Sequence, residues 1–121
     1  MLAGKRAARV GEELLREVAD LLTKKVRDPR VKAATLTGIQ LSNDLKHARI
    51  FYSFMGEHED IDQVQAGLDS AKGFIKRELG LRVELKYMPD IVFKFDPSLE
   101  KARDMEELFE RLRSSDRSDN S

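Results

Sequence analysis

The sequence contains no cysteine, which excludes disulfides and thiolate chemistry and fits a reducing cytosol. Histidine occurs only twice, as His47 and His58, without the paired spacing of a metal site, so both read as surface residues. No glycine-rich phosphate loop occurs, and both the Walker pattern and the dinucleotide fingerprint are missing. Residues 1–10 carry Lys5, Arg6 and Arg9 with no apolar stretch behind them, and no window approaches the ~18 uninterrupted apolar residues of a membrane span. A cytoplasmic chain without a membrane segment is expected. The acids from Glu57 to Asp62 sit where a loop or a helix start would be, and acids near a helix start are favoured by its dipole, while Glu12-Glu13 and Glu106-Glu107 read as solvated helix faces. No catalytic residue, metal or cofactor is therefore expected.

There is also no net charge, since 22 basic residues balance 22 acidic ones. The balance hides an asymmetry. Residues 1–32 hold nine Lys or Arg against five acids, residues 57–70 hold five acids and no base, and residues 71–97 hold six bases against four acids. Such alternation suits a basic face set against an acidic one, as RNA binding requires, and equally an ordinary solvated surface with 36% charged residues.

What is present is a set of clear periodicities in 121 residues, enough for one domain, 1–113. Val10, Leu14, Val18, Leu21 and Leu22 recur at helical spacing between Arg6 and Val26, and Asp28-Pro29 stops that helix. Thr35, Thr37 and Ile39 favour a strand over 34–41, and a phase slip around Gly38 predicts a bulge. Ser42-Asn43-Asp44 makes a turn into a second strand, in which Ala48, Ile50, Tyr52 and Phe54 alternate with His47, Arg49, Phe51 and Ser53, so the two form a hairpin. Ile61, Val64, Leu68, Ala71, Ile75 and Leu79 form a helical stripe running through Gly73.

Interior glycine costs a helix roughly 0.5–1 kcal/mol relative to alanine, so two helices joined at a kink are expected there, or a glycine that permits close helix–sheet packing. Alternation from Leu81 to Tyr87, resumed at Ile91, Phe93 and Phe95, predicts an interrupted third strand. Pro89 within it marks a bulge, an edge or the true start of pairing. Asp96-Pro97 then caps a helix with Leu99, Ala102, Met105, Leu108, Phe109 and Leu112 inward, and residues 114–121 should be a disordered tail. The fold class is α+β, in the order helix, strand, strand, kinked helix pair, strand, helix, with a three-stranded sheet and helices on one face.

One segment carries binding chemistry. Around Ala71-Lys72-Gly73, a kink would expose backbone N–H groups beside Lys72, Lys76 and Arg77, a combination able to hold phosphates. K-homology domains clamp a nucleic-acid backbone at a helix junction with a GXXG loop, and here that loop is absent. Five stretches in order give a more specific match: Arg6-x-x-Arg9-Val10; Asp28-Pro29-Arg30; Leu41-Ser42-x-Asp44-Leu45-x-x-Ala48; Ala71-x-Gly73-x-Ile75-Lys76; and Pro89-x-Ile91-x-Phe93-x-x-Asp96-x-Ser98. Through them the chain resembles the ribosome-binding factor A family over roughly residues 5–112, although the final helix echoes the family only at Met105 and Leu108.

The resemblance implies a type II K-homology-like domain whose clamp is replaced by a structural kink, Ala71 to Gly73. It implies binding to the free 30S subunit and its 16S rRNA, with ribosomal proteins as further contacts, and a role in late maturation and 5′-end processing that matters most in the cold. A monomer that is not an enzyme is expected. Such a factor works by preferring one RNA conformation and shifting the population toward it. The candidate RNA-binding residues are Arg6, Arg9 and Arg16 on the first helix; Lys24, Lys25, Arg27, Arg30 and Lys32 at its end; Lys46 and Arg49 on the hairpin; and Lys72, Gly73, Lys76 and Arg77 at the expected kink. The competing reading is a protein-interaction module of the same fold without direct RNA contact, and hydrolysis by the acidic cluster is the least supported.

Overall fold

A computed structural model describes the backbone of residues 5–54 and 60–119, and the side chains of these except 99–103 and 114–119. Glu57, His58 and Glu59 of the acidic loop, and residues 120–121 of the expected tail, lie outside the described residues. The chain runs α1 (Lys5–Lys24), a short 3₁₀ turn (Pro29–Val31), β1 (Ala34–Leu41), β2 (His47–Phe54), α2 (Ile61–Arg82), β3 (Asp90–Phe95) and α3 (Ser98–Asp119). Among the described residues, no helix is long and apolar enough to cross a membrane.

β2 is the central strand, antiparallel to β1 and parallel to β3. A parallel neighbour needs a crossover, and α2 supplies it between β2 and β3. Because strand side chains alternate, Ala48, Ile50 and Tyr52 of β2 and Ile91 and Phe93 of β3 all face the helices. Against them, α1 buries Leu14, Val18 and Leu21, and α2 buries Val64, Leu68, Ile75 and Leu79. A part-buried polar latch joins α2 to the sheet. The Tyr52 hydroxyl donates to Gln65 Oε1 at 2.6 Å, and Gln65 Nε2 donates to the Phe93 carbonyl at 2.9 Å, so α2 is tied to both β2 and β3.

The bulge forms as expected: Leu36 pairs with Tyr52 and Gly38 with Phe51, leaving Thr37 as the extra residue. Its hydroxyl donates to Asp96 Oδ2 at 3.2 Å. In the hairpin turn, the Ser42 hydroxyl donates to Asp44 Oδ1 at 2.6 Å, and that carboxylate also accepts the Lys46 N–H at 3.0 Å. Leu45 between them adopts a left-handed φ of 63°, a conformation that non-glycine residues hold only where the surroundings enforce it. At α3, Asp96 Oδ1 accepts the Ser98 N–H at 2.9 Å, which is the capping read from Asp96-Pro97.

Three expectations are corrected. First, α2 is one unbroken helix of 22 residues, so no helix break stands at Ala71–Gly73. A Cβ built on Gly73 meets nothing within 4 Å, which also removes the close-packing reading of that glycine. The close approaches lie elsewhere. A Cβ on Gly67 would stand 2.9 Å from Arg30 Cβ and 3.1 Å from Val31 Cγ1, and one on Gly11 would stand 3.3 Å from Ile39 Cγ2. Gly67 lets α2 sit on the 3₁₀ turn, and Gly11 lets α1 sit on β1.

Second, residues 81–89 are not strand. Leu81 and Arg82 end α2, the Val83 N–H closes that helix on the Leu79 carbonyl at 2.8 Å, and pairing begins only after buried Pro89, where the Asp90 N–H donates to the Lys46 carbonyl at 2.9 Å. Of the four alternating residues, Val83 and Leu85 turn inward while Leu81 and Tyr87 are exposed. Third, α3 does not bury its stripe: Met105, Leu108, Phe109 and Leu112 are all exposed, and the backbone stays helical through Asp119. Leu99 and Ala102 lie outside the described side chains.

Candidate nucleic-acid interface

The expected basic residues fall into separate groups, and the fold brings some of them together. Lys25 and Arg27, in the segment where α1 has ended, line a cavity of about 240 Å³ whose other wall is α2 at Gly67, Ser70, Ala71 and Phe74. Both cations are exposed. The end of the first helix and the Ala71–Gly73 region, distant in sequence, therefore share one surface. This works because Gly67 admits the 3₁₀ turn so closely.

A second cavity, of about 220 Å³, joins three chain segments: Arg6 from the start of α1, Asp44 to Lys46 from the hairpin turn, and Leu85 to Tyr87 from the run into β3. Arg49 lines a third and larger cavity, of about 580 Å³, between α1 and the β1 end of the hairpin. Arg9 and Arg16 project from the exposed arc of α1 and form no ion pair with another described residue. The same is true of Lys32 and Arg77.

Several candidates are instead engaged within the fold. Arg30 donates to both Asp28 oxygens, at 2.6 to 3.1 Å, and its guanidinium beside Asp28 holds that carboxyl below the usual carboxylate range. Asp28 also caps the turn by accepting the Arg30 N–H at 3.0 Å. Asp28-Pro29-Arg30 is thus a folded unit rather than a free cation. Lys24 pairs with Asp20 at 2.9 Å, Lys72 with Asp69 at 3.4 Å, and Lys76 with Asp90 at 3.2 Å. Exposed pairs of this kind are worth about 0–1 kcal/mol, so Lys24, Lys72 and Lys76 remain able to exchange a carboxylate for a phosphate. Gly73 is exposed on α2 between Lys72 and Phe74, inside the hydrogen-bonded helix, so it offers no freed backbone N–H groups.

Three contributors escaped sequence reasoning. Arg82 donates to Glu17 at 2.9 Å and to Asp20 at 2.8 Å, which neutralises the acids on the second half of α1 and leaves Arg9 and Arg16 with less opposing charge. Hydrogen bonds from Lys24 and Arg82 hold Asp20 below its usual pKa. Lys86 and Tyr87 fall within the strand that the alternation predicts. Tyr87 is instead 65% exposed, with the Lys86 ammonium 5.6 Å from its ring centroid. Pro89 stands at the true start of pairing, one of the three readings its position allowed, and is the sequence signal that could have placed both residues outside the strand.

Chemically, the arrangement offers cations and hydrogen-bond donors at concave places, the equipment of phosphate binding. Among the described residues no group of three His, Cys, Asp or Glu is placed to hold a metal ion.

Comparison with known proteins agrees with this fold. A solution structure from Thermotoga maritima, of a protein proposed to be a ribosome-binding factor A, shares 28% identity over 78% of this chain and 90% of its own, with a TM-score of 0.67. The crystal structure of ribosome-binding factor A from Thermus thermophilus shares 22% identity over 74% of this chain and 93% of its own, with a TM-score of 0.65. A homology model of the Thermus thermophilus factor, fitted into a cryo-electron microscopy map of its complex with the 30S subunit, shares 22% identity over 75% and 96% of the two chains, with a TM-score of 0.62. The family model for ribosome-binding factor A matches residues 6–109, and with that span covered the chain belongs to the ribosome-binding factor A family.

Proposed function

We propose that this chain binds the free 30S subunit through phosphates of its 16S rRNA and promotes late maturation of that subunit, including processing of the RNA 5′ end, with the greatest need at low temperature. Family membership over residues 6–109 carries the ribosomal part of this reading. The observation that supports RNA as the contacted component is the convergence of Lys25 and Arg27 with α2 at Ala71, beside Lys72. Phosphate contacts position such a protein, and the shape of the folded RNA supplies selectivity. Maturation follows without a catalytic residue. A factor that binds one RNA conformation more tightly shifts the population toward it, and about 1.4 kcal/mol of preference changes the ratio tenfold.

The test is the salt dependence of binding to purified small subunits. The logarithm of the affinity should fall linearly with the logarithm of salt, and Lys25→Glu with Arg27→Glu should lower the slope by roughly 0.7–0.9 for each phosphate that is no longer neutralised. A flat dependence, or an unchanged slope in the double variant, refutes RNA binding at this surface. Contact with ribosomal proteins has one observation in its favour, the exposed stripe of Met105, Leu108, Phe109 and Leu112 on α3. Loss of subunit binding on Leu108→Ser with Phe109→Ser, at unchanged salt slope, would select it.

A further inference from the structure

The cavity that joins the start of α1, the hairpin turn and the run into β3 has a composition unlike the other basic surfaces, because it combines cations from three segments with an exposed aromatic ring. Arg6, Lys46 and Lys86 line it, and all three are exposed. Asp44 is the one acid in the lining, and its Oδ1 is held inside the turn by the Ser42 hydroxyl at 2.6 Å and the Lys46 N–H at 3.0 Å. Three positive charges therefore stand against one negative charge that already serves the protein. The left-handed Leu45 at φ 63° fixes the turn between them. Leu45 and Leu85, both half-buried against the core, give the cavity an apolar floor.

Tyr87 completes it. The residue is 65% exposed and takes no part in the core, and its ring already carries the Lys86 ammonium 5.6 Å from its centroid. An exposed tyrosine beside cations suits one ligand class, a nucleotide of single-stranded nucleic acid, whose base stacks on the ring while its phosphate meets the cations. From this geometry we infer that Arg6, Lys46, Lys86 and Tyr87 form a subsite for one unpaired nucleotide of RNA. The inference deepens the ribosomal reading and rests on RNA being the partner. It adds an unstacked base to a mode of binding otherwise confined to phosphates.

Tyrosine emission reads the subsite directly. The chain has two tyrosines and no tryptophan, and the other tyrosine, Tyr52, is buried with its hydroxyl bound to Gln65. The full chain is titrated with a short oligouridylate and with an abasic oligomer of the same length. Oligouridylate should quench the emission of the wild type and not that of Tyr87→Phe. The Phe variant should keep the affinity to within a factor of about two, and Tyr87→Ala should lose roughly tenfold, the scale of one base–aromatic stack. The abasic oligomer should bind wild type and Tyr87→Ala alike. Unchanged oligouridylate affinity in Tyr87→Ala, or an equal loss for both oligomers, overturns the subsite. Because Tyr87 lies outside the core, an unaltered thermal transition confirms that the Ala variant is folded. Sedimentation with small subunits separates the two claims. Subunit binding by the wild type without quenching by oligouridylate rejects the subsite alone, whereas quenching without subunit binding rejects the ribosomal reading and leaves the subsite standing.

Discussion

Gly67 and Gly73 occupy the same helix, six positions apart, and the structure predicts opposite outcomes for the same substitution. Glycine inside a helix costs about 0.5–1 kcal/mol relative to alanine, because the unfolded chain loses more freedom on becoming helical. At Gly73 nothing opposes that gain, since a Cβ there meets no heavy atom within 4 Å. Gly73→Ala should therefore stabilise the protein by about 0.5–1 kcal/mol, which raises the thermal midpoint by roughly 2–6 °C for a domain of this size. At Gly67 the same Cβ lands 2.9 Å from Arg30 Cβ and 3.1 Å from Val31 Cγ1, and neither atom is the free end of a flexible side chain. Helix and turn must separate, at a cost of about 1–3 kcal/mol for overpacking, so Gly67→Ala should destabilise by about 1–2 kcal/mol after the propensity gain. Denaturant unfolding followed by circular dichroism measures both. Destabilisation by Gly73→Ala would refute the reasoning, because it would mean that the backbone at Gly73 departs from plain helix and that the kink expected from sequence is real. Subunit binding should be unchanged in Gly73→Ala for the same reason.

Replacing Leu108 and Phe109 on α3 with serine should change stability by less than about 1 kcal/mol, since these half-exposed side chains stand outside the core; a loss of about 3 kcal/mol would place the stripe against it. Tyr52→Phe removes the 2.6 Å hydrogen bond to Gln65 and leaves a half-buried amide oxygen short of a donor, so about 1 kcal/mol should disappear from the unfolding free energy, and no change would show that the latch is not maintained in solution. Acid should destabilise the fold in a definite window. Asp20, Asp28, Asp44 and Asp96 are held below the usual Asp pKa by hydrogen bonds from Lys24 and Arg82, from Arg30, from Ser42 and Lys46, and from Ser98. The unfolded chain therefore binds protons more readily, so the stabilisation is complete above about pH 5 and is lost as pH falls through about 4 and below. A transition midpoint that holds constant over that window contradicts these pairings.

Local signals made much of the fold legible. Helical spacing from Val10 to Leu22, β-branched residues in β1, the slip at Gly38 and the cap at Asp96 each act over a few residues, and each formed as read. What failed depended on partners remote in sequence. The alternation from Leu81 to Tyr87 imitates a strand, yet α2 keeps its hydrogen bonds through Arg82 and pairing waits until after Pro89. Gly73 draws attention because it interrupts a stripe, while Gly67, whose role depends on Arg30 and Val31, gives no sign. The stripe on α3 announces an amphipathic helix and not whether anything covers it. The basic set is visible as a series of exposed cations, but the pairing of Lys76 with Asp90 and of Arg82 with Glu17 and Asp20 appears only when separate elements meet. Tyr87 is legible in principle, through Pro89, and its exposure makes it part of a surface rather than of the core.

The central claim concerns a partner, and co-sedimentation tests it most directly. Purified chain is mixed with free small subunits, with large subunits and with whole ribosomes, and each mixture is centrifuged through a sucrose cushion. The account predicts that the protein pellets with free small subunits and stays in the supernatant with large subunits and whole ribosomes. Equal association with all three, or with none, would contradict it.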